Sequence, residues 1–352
     1  MVFSAYYLHQ ISSSAPSESL GNARKNLTKA LKYEANLYAE NEYKRATELY
    51  DSALTEWQFQ NTVFPIVRDY KSAQAYALSA SYWAEESYIK SIARAQNLSD
   101  LINSKLKSVE RKLDNYRQNY GNLPISKKAS KTYSSSEMLF AEAKLTSPST
   151  DLHTSMVKLL AAEDLIDSLE ESSNLLLKNY FESYHLWKKI FNNGVSTSLK
   201  NKSLLIVVDK FQHECQIYQN GQIKTKFNIE LGPNWIGDKM YAGDKSTPEG
   251  AYKVLSKKKN ANTIYHKALL IDYPNPLDKV RFEQNKIDGK IPKAKSIGGL
   301  IELHGHGTKG ADWTDGCVAI ANEDMDKLFD WTSVGTPVII VGSLKPLAEI
   351  IK

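Results

Sequence analysis

The side chains best suited to covalent acyl transfer crowd into two neighbouring segments, Leu303-His304-Gly305-His306-Gly307 and Trp313-Thr314-Asp315-Gly316-Cys317-Val318. A cysteine thiolate attacks an amide carbonyl, while a histidine takes the thiol proton and later returns it to the leaving amine. A free thiol titrates near about 8.5, so a neighbouring imidazole is a direct way to raise the thiolate fraction. Gly316, immediately before Cys317, permits a tight turn that leaves backbone N–H groups free for a tetrahedral oxyanion, at roughly 3–4 kcal/mol for one donor. His304 and His306 lie two positions apart, so on an extended strand both face the same side and either reaches Cys317. His304 is taken as the base and His306 as a residue shaping the pocket. The two histidines with Asp315 or Cys317 would also suffice for a metal ligand set. No further Cys or His pair lies nearby, and no metal is expected.

The residues around the thiol carry open alternatives. Trp313 and Thr314 either line a substrate groove or pack beneath the nucleophile turn. Asp315 orients a histidine, contacts an acceptor amine, or is a solvated turn residue. The second cysteine, Cys215, falls on a hairpin strand ahead of Asn220-Gly221, the type I′ turn signal. With a two-residue loop there, Cys215 stands opposite Lys226 and shares the face of Lys224, away from Ile223 and Phe227. It is expected to be structural. A Cys215–Cys317 disulfide would consume the nucleophile and is not expected.

Two halves of different hydrophobic period must position these residues. From about residue 20 to 192 the apolar residues recur at three- and four-residue steps, the helical period. Ala35, Tyr38, Ala39, Ala46, Leu49, Tyr50 and Ala53 form one seam, and Ala73, Ala77, Ala80 and Ala84 another. Asn122-Leu123-Pro124 and Thr146-Ser147-Pro148-Ser149 read as helix connections. Beyond Asn192-Asn193-Gly194 and Ser196-Thr197-Ser198 the period changes. Leu204–Val208 reads as a buried strand, and Ile223, Thr225, Phe227 and Ile229 alternate with polar residues as a half-buried one. A single helix is expected after Asn322, its N-cap, with Met325, Leu328 and Phe329 as the buried stripe. Gly335 ends that helix and 337–341 closes the domain as a strand. The expected class is α+β: a helical domain at 1–195, a β-rich catalytic domain at 200–343 and a C-terminal tail at 344–352. About 145 residues bury enough surface to fold alone, so a fragment beginning near Ser198 is expected to be separable. The helical half is either a scaffold or an arm that positions a substrate.

Composition narrows the partners. The balance of 45 basic and 40 acidic residues gives a net charge of +5, with the basic residues dispersed, so no nucleic-acid footprint is expected. Two cysteines exclude a disulfide scaffold. No stretch approaches the roughly 18 apolar residues of a membrane-spanning helix. The start, Met1 to Leu8, lacks the basic and sustained apolar regions of a signal peptide, and whether an anchor or signal precedes it stays open.

In its order of landmarks the C-terminal half resembles the YkuD-type L,D-transpeptidase family. Gly243-Asp244-Lys245-Ser246-Thr247-Pro248-Glu249-Gly250, Asp272-Tyr273-Pro274-Asn275, Gly298-Gly299, the His304-Gly305 pair, the Trp313-to-Cys317 block and Gly335-Thr336-Pro337-Val338 follow in register from Ser203 to Gly342. The resemblance implies Cys317 as nucleophile, His304 as base, and the Gly316 and Cys317 backbone at the oxyanion. Gly305, His306, Trp313, Thr314 and Asp315 are implied around the substrate. Two positions depart from the pattern: Asp315 stands where many members have His or Lys, and Ala319 where many have an arginine. Carboxylate recognition would then fall to another cation, Lys239, Lys245 or Arg281. The implied substrate is a peptidoglycan stem peptide, cut after its third residue, a diamino acid, with the acyl group passed to an amine or to water. No cofactor is implied. A wall-linked lipoprotein or other protein is a further candidate partner, and the expected location is extracytoplasmic, in the periplasm or cell envelope. Three functions stay in view: a transpeptidase, a hydrolase on stems or wall-linked protein using the same thioester, and a non-catalytic wall-binding scaffold.

Overall fold

A computed structural model describes residues 14–124, 126–146 and 151–351. The chain falls into two compact units, Met1–Arg111 with Ser135–Asp164, and Lys112–Ser134 with Leu165–Lys352. Neither unit ends at 195. The start, Met1 to Leu8, read as lacking signal-peptide features, and the Ser147–Ser149 part of the second connection lie outside the described residues.

The first unit is helical. It contains α1 (Ser17–Lys32), α2 (Ala35–Tyr38), α3 (Glu40–Thr62) and parts of α4 (Lys71–Tyr120), α5 (Lys127–Thr146) and α6 (Leu152–Phe181). Alanines with no exposed surface form the seams, and tyrosine and tryptophan rings fill the space beside them. Ala46 and Ala84 pack with Leu27 against Tyr43, Tyr50 and Trp83. Ala53 and Ala77 pack with Leu20 against Tyr50 and Trp57. Small side chains let the backbones approach, and the large neighbouring rings supply the buried apolar area. No described helix is long and apolar enough to cross a membrane.

The second unit holds a closed barrel, built among the described residues from β1 (Leu204–Asp209), β2 (Glu214–Gln219), β3 (Gln222–Glu230), β4 (Gly250–Lys259), β5 (Lys267–Ile271), β6 (Glu302–His304), β7 (Val318–Ile320) and β8 (Pro337–Val341). The strand order is β1-β2-β3-β7-β6-β5-β4-β8. The β1–β8 and β6–β7 pairs are parallel and the others antiparallel. Ile206, Ile217, Phe227, Leu269, Leu303, Val318 and Ile340 lie in the interior. β1 reads as an unbroken apolar run because both its faces are covered. Leu205 and Val207, with Ile339 and Val341 of β8, pack outward against Phe181 of α6 and Trp187 of α7 (Tyr184–Asn201).

The change of period at Asn193-Gly194 is therefore no linker. Helix α7 runs through it to Asn201, and a Cβ at Gly194 would overlap the Ile339 side chain, so glycine there lets α7 lie close on β8. The residues expected as a tail also pack: Leu344, Leu347 and Ile350 contact the Phe181–Trp187 cluster. Two further expectations change. The domain has a second helix, α8 (Pro276–Ile287), started by a reciprocal capping box between Asn275 and Asp278. In α9 (Asn322–Trp331) the N-cap is Ala321, because the Asn322 side chain accepts from the His306 N–H at 2.8 Å. Met325, Leu328 and Phe329 are its buried stripe as expected.

The Asn220-Gly221 turn forms, with φ of 56° and 74°. The face assigned to Cys215 does not. The pairing runs Tyr218↔Ile223 and then Ile217↔Thr225, so Lys224 is an extra residue in β3. This bulge moves the register by one, and one step exchanges the faces of a strand. Cys215 thus stands opposite Phe227 and points into the barrel core, fully buried.

Candidate functional site

Strands β6 and β7 set the chemistry-bearing residues side by side. The parallel register is Leu303↔Val318 and His304↔Ala319. Leu303 and Val318 fill the barrel, so by alternation Glu302, His304, Cys317 and Ala319 share the outer face. Cys317 stands one step before β7, beside Glu302, whose backbone N–H donates to Sγ at 3.4 Å. The thiol points to the Leu300 carbonyl at 3.7 Å.

The turn before Cys317 explains its residue types. Gly316 has φ +117°, and a Cβ there would stand 2.5 Å from the Ser246 carbonyl oxygen and 3.4 Å from Lys239 Nζ. Only glycine fits both the backbone and the space. The Thr314 hydroxyl is committed within the turn: it donates to the Cys317 carbonyl at 2.7 Å and accepts from the Gly316 N–H at 3.2 Å. Thr314 is thus a structural brace. The Gly316 N–H, expected as an oxyanion donor, is occupied by that hydroxyl. Trp313 Nε1 donates to Glu230 at 2.8 Å, and its ring stands edge-on to His304, with centroids 5.8 Å apart. Asp315 is exposed.

His304 is fully buried. Its Nδ1 lies 2.6 Å from the Gly305 carbonyl oxygen, which can only accept, so Nδ1 carries the proton. Nε2 is then the lone-pair nitrogen, and it has no hydrogen-bond partner among the described residues. Burial is the main cause that lowers the His304 pKa, so the ring is neutral at neutral pH. The Tyr265 ring stacks on the imidazole at 3.5 Å and 10°. Tyr265 was not among the residues the sequence singled out, because it precedes β5, far along the chain from either motif. His306 does not share the His304 face. β6 stops at His304, His306 takes a left-handed φ of 67°, and its side chain is exposed. A Cβ at Gly305 would come 2.6 Å from Asn322 Oδ1, which closes this corner to any side chain.

Burial pushes the Cys317 thiol up to about 11; the Glu302 N–H and Lys239 pull it down, and the Glu302 and Asp315 carboxylates add to the rise. Cys317 therefore rests as S–H and needs a base. A groove of about 410 Å³ opens beside it, lined by Lys258, Asn262, Thr263, Tyr265, Leu300 and Glu302. A second hollow, about 540 Å³, is lined by His213, Glu230, Asp312 and Ala319. The cations expected to replace the missing arginine are differently engaged. Lys239 is buried on Asp244 at 2.7 Å, and Arg281 pairs with Asp238 and Asp278. Lys245 is exposed. The cation that does line the groove with Cys317 is Lys258, bound to Glu302 at 2.6 Å. Cys215, in the apolar core, is pushed up to about 12 by burial and is chemically quiet. A protonated thiol and a neutral imidazole with an unpartnered Nε2, on one sheet face beside a groove, have the residue types that cysteine acyl transfer needs. Sγ and Nε2 are not hydrogen-bonded to each other in this state, and such bonds often tighten only with substrate bound.

The family model for the L,D-transpeptidase catalytic domain, YkuD, matches residues 203–340. No curated protein matches the chain. Among solved structures, an L,D-transpeptidase from Mycobacterium smegmatis is similar at 16% identity, covering 40% of this chain and 58% of its own, with a TM-score of 0.26. L,D-transpeptidase 1 of Mycobacterium tuberculosis is similar at 16% identity over 40% of this chain and 62% of its own, with a TM-score of 0.26. An L,D-transpeptidase from Xylanimonas cellulosilytica is similar at 15% identity over 40% and 61%, with a TM-score of 0.28. The chain covers less than two thirds of each of these. Residues 203–340, which carry the barrel strands, His304 and Cys317, belong to the YkuD family of L,D-transpeptidase catalytic domains.

Proposed function

We propose that this protein is a peptidoglycan L,D-transpeptidase acting through a Cys317 thioester. The Sγ–H proton passes to His304 Nε2 as sulfur attacks the carbonyl of the third residue of a stem peptide. The C–N bond then breaks, and the imidazolium returns the proton to the departing amine. An incoming amine attacks the thioester and loses its proton to His304, the C–S bond breaks, and the imidazolium returns that proton to sulfur, regenerating the thiol. The acceptor is the amine of a second stem or of a wall-linked protein, which assigns the protein to the periplasm or cell envelope. The observation that carries this reading is the pinned His304 ring: Nδ1–H held by Gly305, with a buried, unpartnered Nε2 on the face it shares with Cys317.

The test is incubation of the full chain with imipenem and with a purified disaccharide–tetrapeptide, followed by intact-mass and peptide mapping. An adduct on Cys317 and loss of the terminal residue from the tetrapeptide are expected. No adduct and no cleavage would reject the reading. Products joined to an added amine identify transfer, and tripeptide alone identifies water as acceptor.

A further inference from the structure

The mechanism uses the outer face of β6 and β7, yet a dense buried polar cluster of the second unit lies elsewhere, around Glu249. Lys210, with no exposed surface, donates through Nζ to the Gly237 carbonyl at 2.6 Å, the Thr247 carbonyl at 3.0 Å and Glu249 Oε1 at 2.8 Å. It therefore grips both ends of the segment 237–249. Glu249 Oε1 also accepts from the Tyr180 hydroxyl at 2.7 Å, and Oε2 accepts from Trp187 Nε1 at 2.9 Å. The Glu249 N–H donates to Asp238 at 2.8 Å. Tyr180 closes α6 and Trp187 opens α7, so two helices hold one end of this loop by its carboxylate.

The other end of the same loop supports the nucleophile turn. Asp244 gathers it, accepting from Lys239 Nζ, Met240 N, Tyr241 N and Ser246 N at 2.6–3.0 Å. The Ser246 carbonyl and the Lys239 ammonium then lie against Gly316, as close as a glycine allows. A shift of the loop moves both a hard backbone contact and a buried positive charge relative to Cys317.

We infer that Glu249, clamped by Tyr180, Trp187 and Lys210, is a positioning residue for Cys317, acting through the 237–249 loop. The inference rests on Cys317 being the reactive group of the proposed function. Apolar docking of α6 and α7 and this polar tie are separable in chemistry. The Phe181 and Trp187 rings cover Leu205 and Val207, whereas the Tyr180 hydroxyl and Trp187 N–H donate to the loop carboxylate. Loosening the tie is costly because a buried carboxylate is left short of donors, and the loop gives way before the barrel does. Misplacement of a reacting group by a fraction of an ångström is enough to slow a step without weakening binding.

The groups facing Cys317 are Glu302 and His304 on β6, Asp315 on its own turn, Tyr265 before β5, Lys258 on β4 and Lys239 from the loop. Of these, only Lys239 belongs to the clamped loop, so its displacement is read at the thiol. The experiment compares Tyr180→Phe, Trp187→Phe and Glu249→Gln with Phe191→Leu in the full chain. Phe191 packs on Tyr218 from the same α7, and its side chain has no polar group to offer Glu249. Imipenem acylation of Cys317 and the pH dependence of iodoacetamide alkylation are measured, with Tm as the measure of folding. The clamp variants should slow the acylation rate constant about tenfold with little change in the concentration for half-saturation, and move the alkylation profile to higher pH. Phe191→Leu should lower Tm at least as much as Tyr180→Phe and leave the profile in place. Unchanged rates and profiles in Tyr180→Phe and Trp187→Phe, or the same shift in Phe191→Leu, would overturn the inference. If wild type is not acylated at all, the proposed function fails, while the alkylation profiles still decide the clamp.

Discussion

The Trp187 indole occupies the space that a side chain at position 342 would need: a Cβ on Gly342 would overlap its ring, and would also crowd the Tyr180 hydroxyl. The end of β8 and the start of α7 are therefore fitted to each other. Gly342→Ala should destabilise the second unit by about 1–3 kcal/mol, the usual penalty for overpacking. Denaturant titration of the full chain checks this, and a neutral result would mean that α7 moves aside freely.

The same relationship bears on where the catalytic domain can be cut. A fragment beginning near Ser198 loses Phe181 and Trp187 and uncovers Leu205, Val207, Ile339 and Val341. Each such side chain left in water forgoes roughly 1.5–3 kcal/mol. The fragment should aggregate or melt without a cooperative transition, in place of the independent folding that its length alone suggests. A sharp transition at a Tm close to the full chain's would show that the helices add nothing to the barrel.

The two thiols should separate cleanly. Iodoacetamide applied to the native protein should label Cys317 and reach Cys215 only after unfolding, since Cys215 lies in the barrel core. Cys317→Ala should reduce turnover below about a thousandth of wild type, leaving only binding and oxyanion terms. Cys215→Ala should lower Tm slightly, through the small volume removed, and retain the rate. Peptide mapping by mass spectrometry decides the labelling.

The pH profiles of alkylation and acylation should differ. Because burial lowers the His304 pKa, the ring stays neutral down to pH values below the ordinary 6.5 or so, and acylation falls only as pH drops through that lower value. The resting thiol is pushed up to about 11, so direct alkylation should keep rising through the alkaline range with no plateau near pH 8. His304→Ala should remove the acid limb of acylation and slow it about a hundredfold or more. His306→Ala, at an exposed residue with a left-handed backbone, should leave the limb in place. An alkylation plateau near neutrality would instead indicate a preformed thiolate–imidazolium pair.

Gly316→Ala should abolish acylation and destabilise the unit by about 1–3 kcal/mol. The backbone there is at φ +117° and the added methyl meets the Ser246 carbonyl, with no soft side chain to yield. Native-like acylation in this variant would show that the turn before Cys317 is not the fixed platform described.

Local chemistry was enough to identify much of this protein. The His304–Cys317 motif and the Asn220-Gly221 turn depend on residues adjacent in the chain, as do the all-apolar β1 and the Met325–Leu328–Phe329 stripe. Backbone angles, strand alternation and helical period are set by near neighbours, so these features can be read directly from residue order. The tertiary structure alone decided the rest. The Lys224 bulge turns Cys215 into the core because pairing with β2, and not the local alternation of β3, sets the face. Helix α7 continues through Gly194 because Ile339, far along the chain, needs the room. The stacking of Tyr265 on His304, the engagement of the Gly316 N–H by Thr314, and the clamp on Glu249 all join groups that only packing brings together. A sequence lists donors, rings and charges, but which of them meet depends on register and on the elements that cover each face. Those are properties of the closed barrel and its helices as a whole.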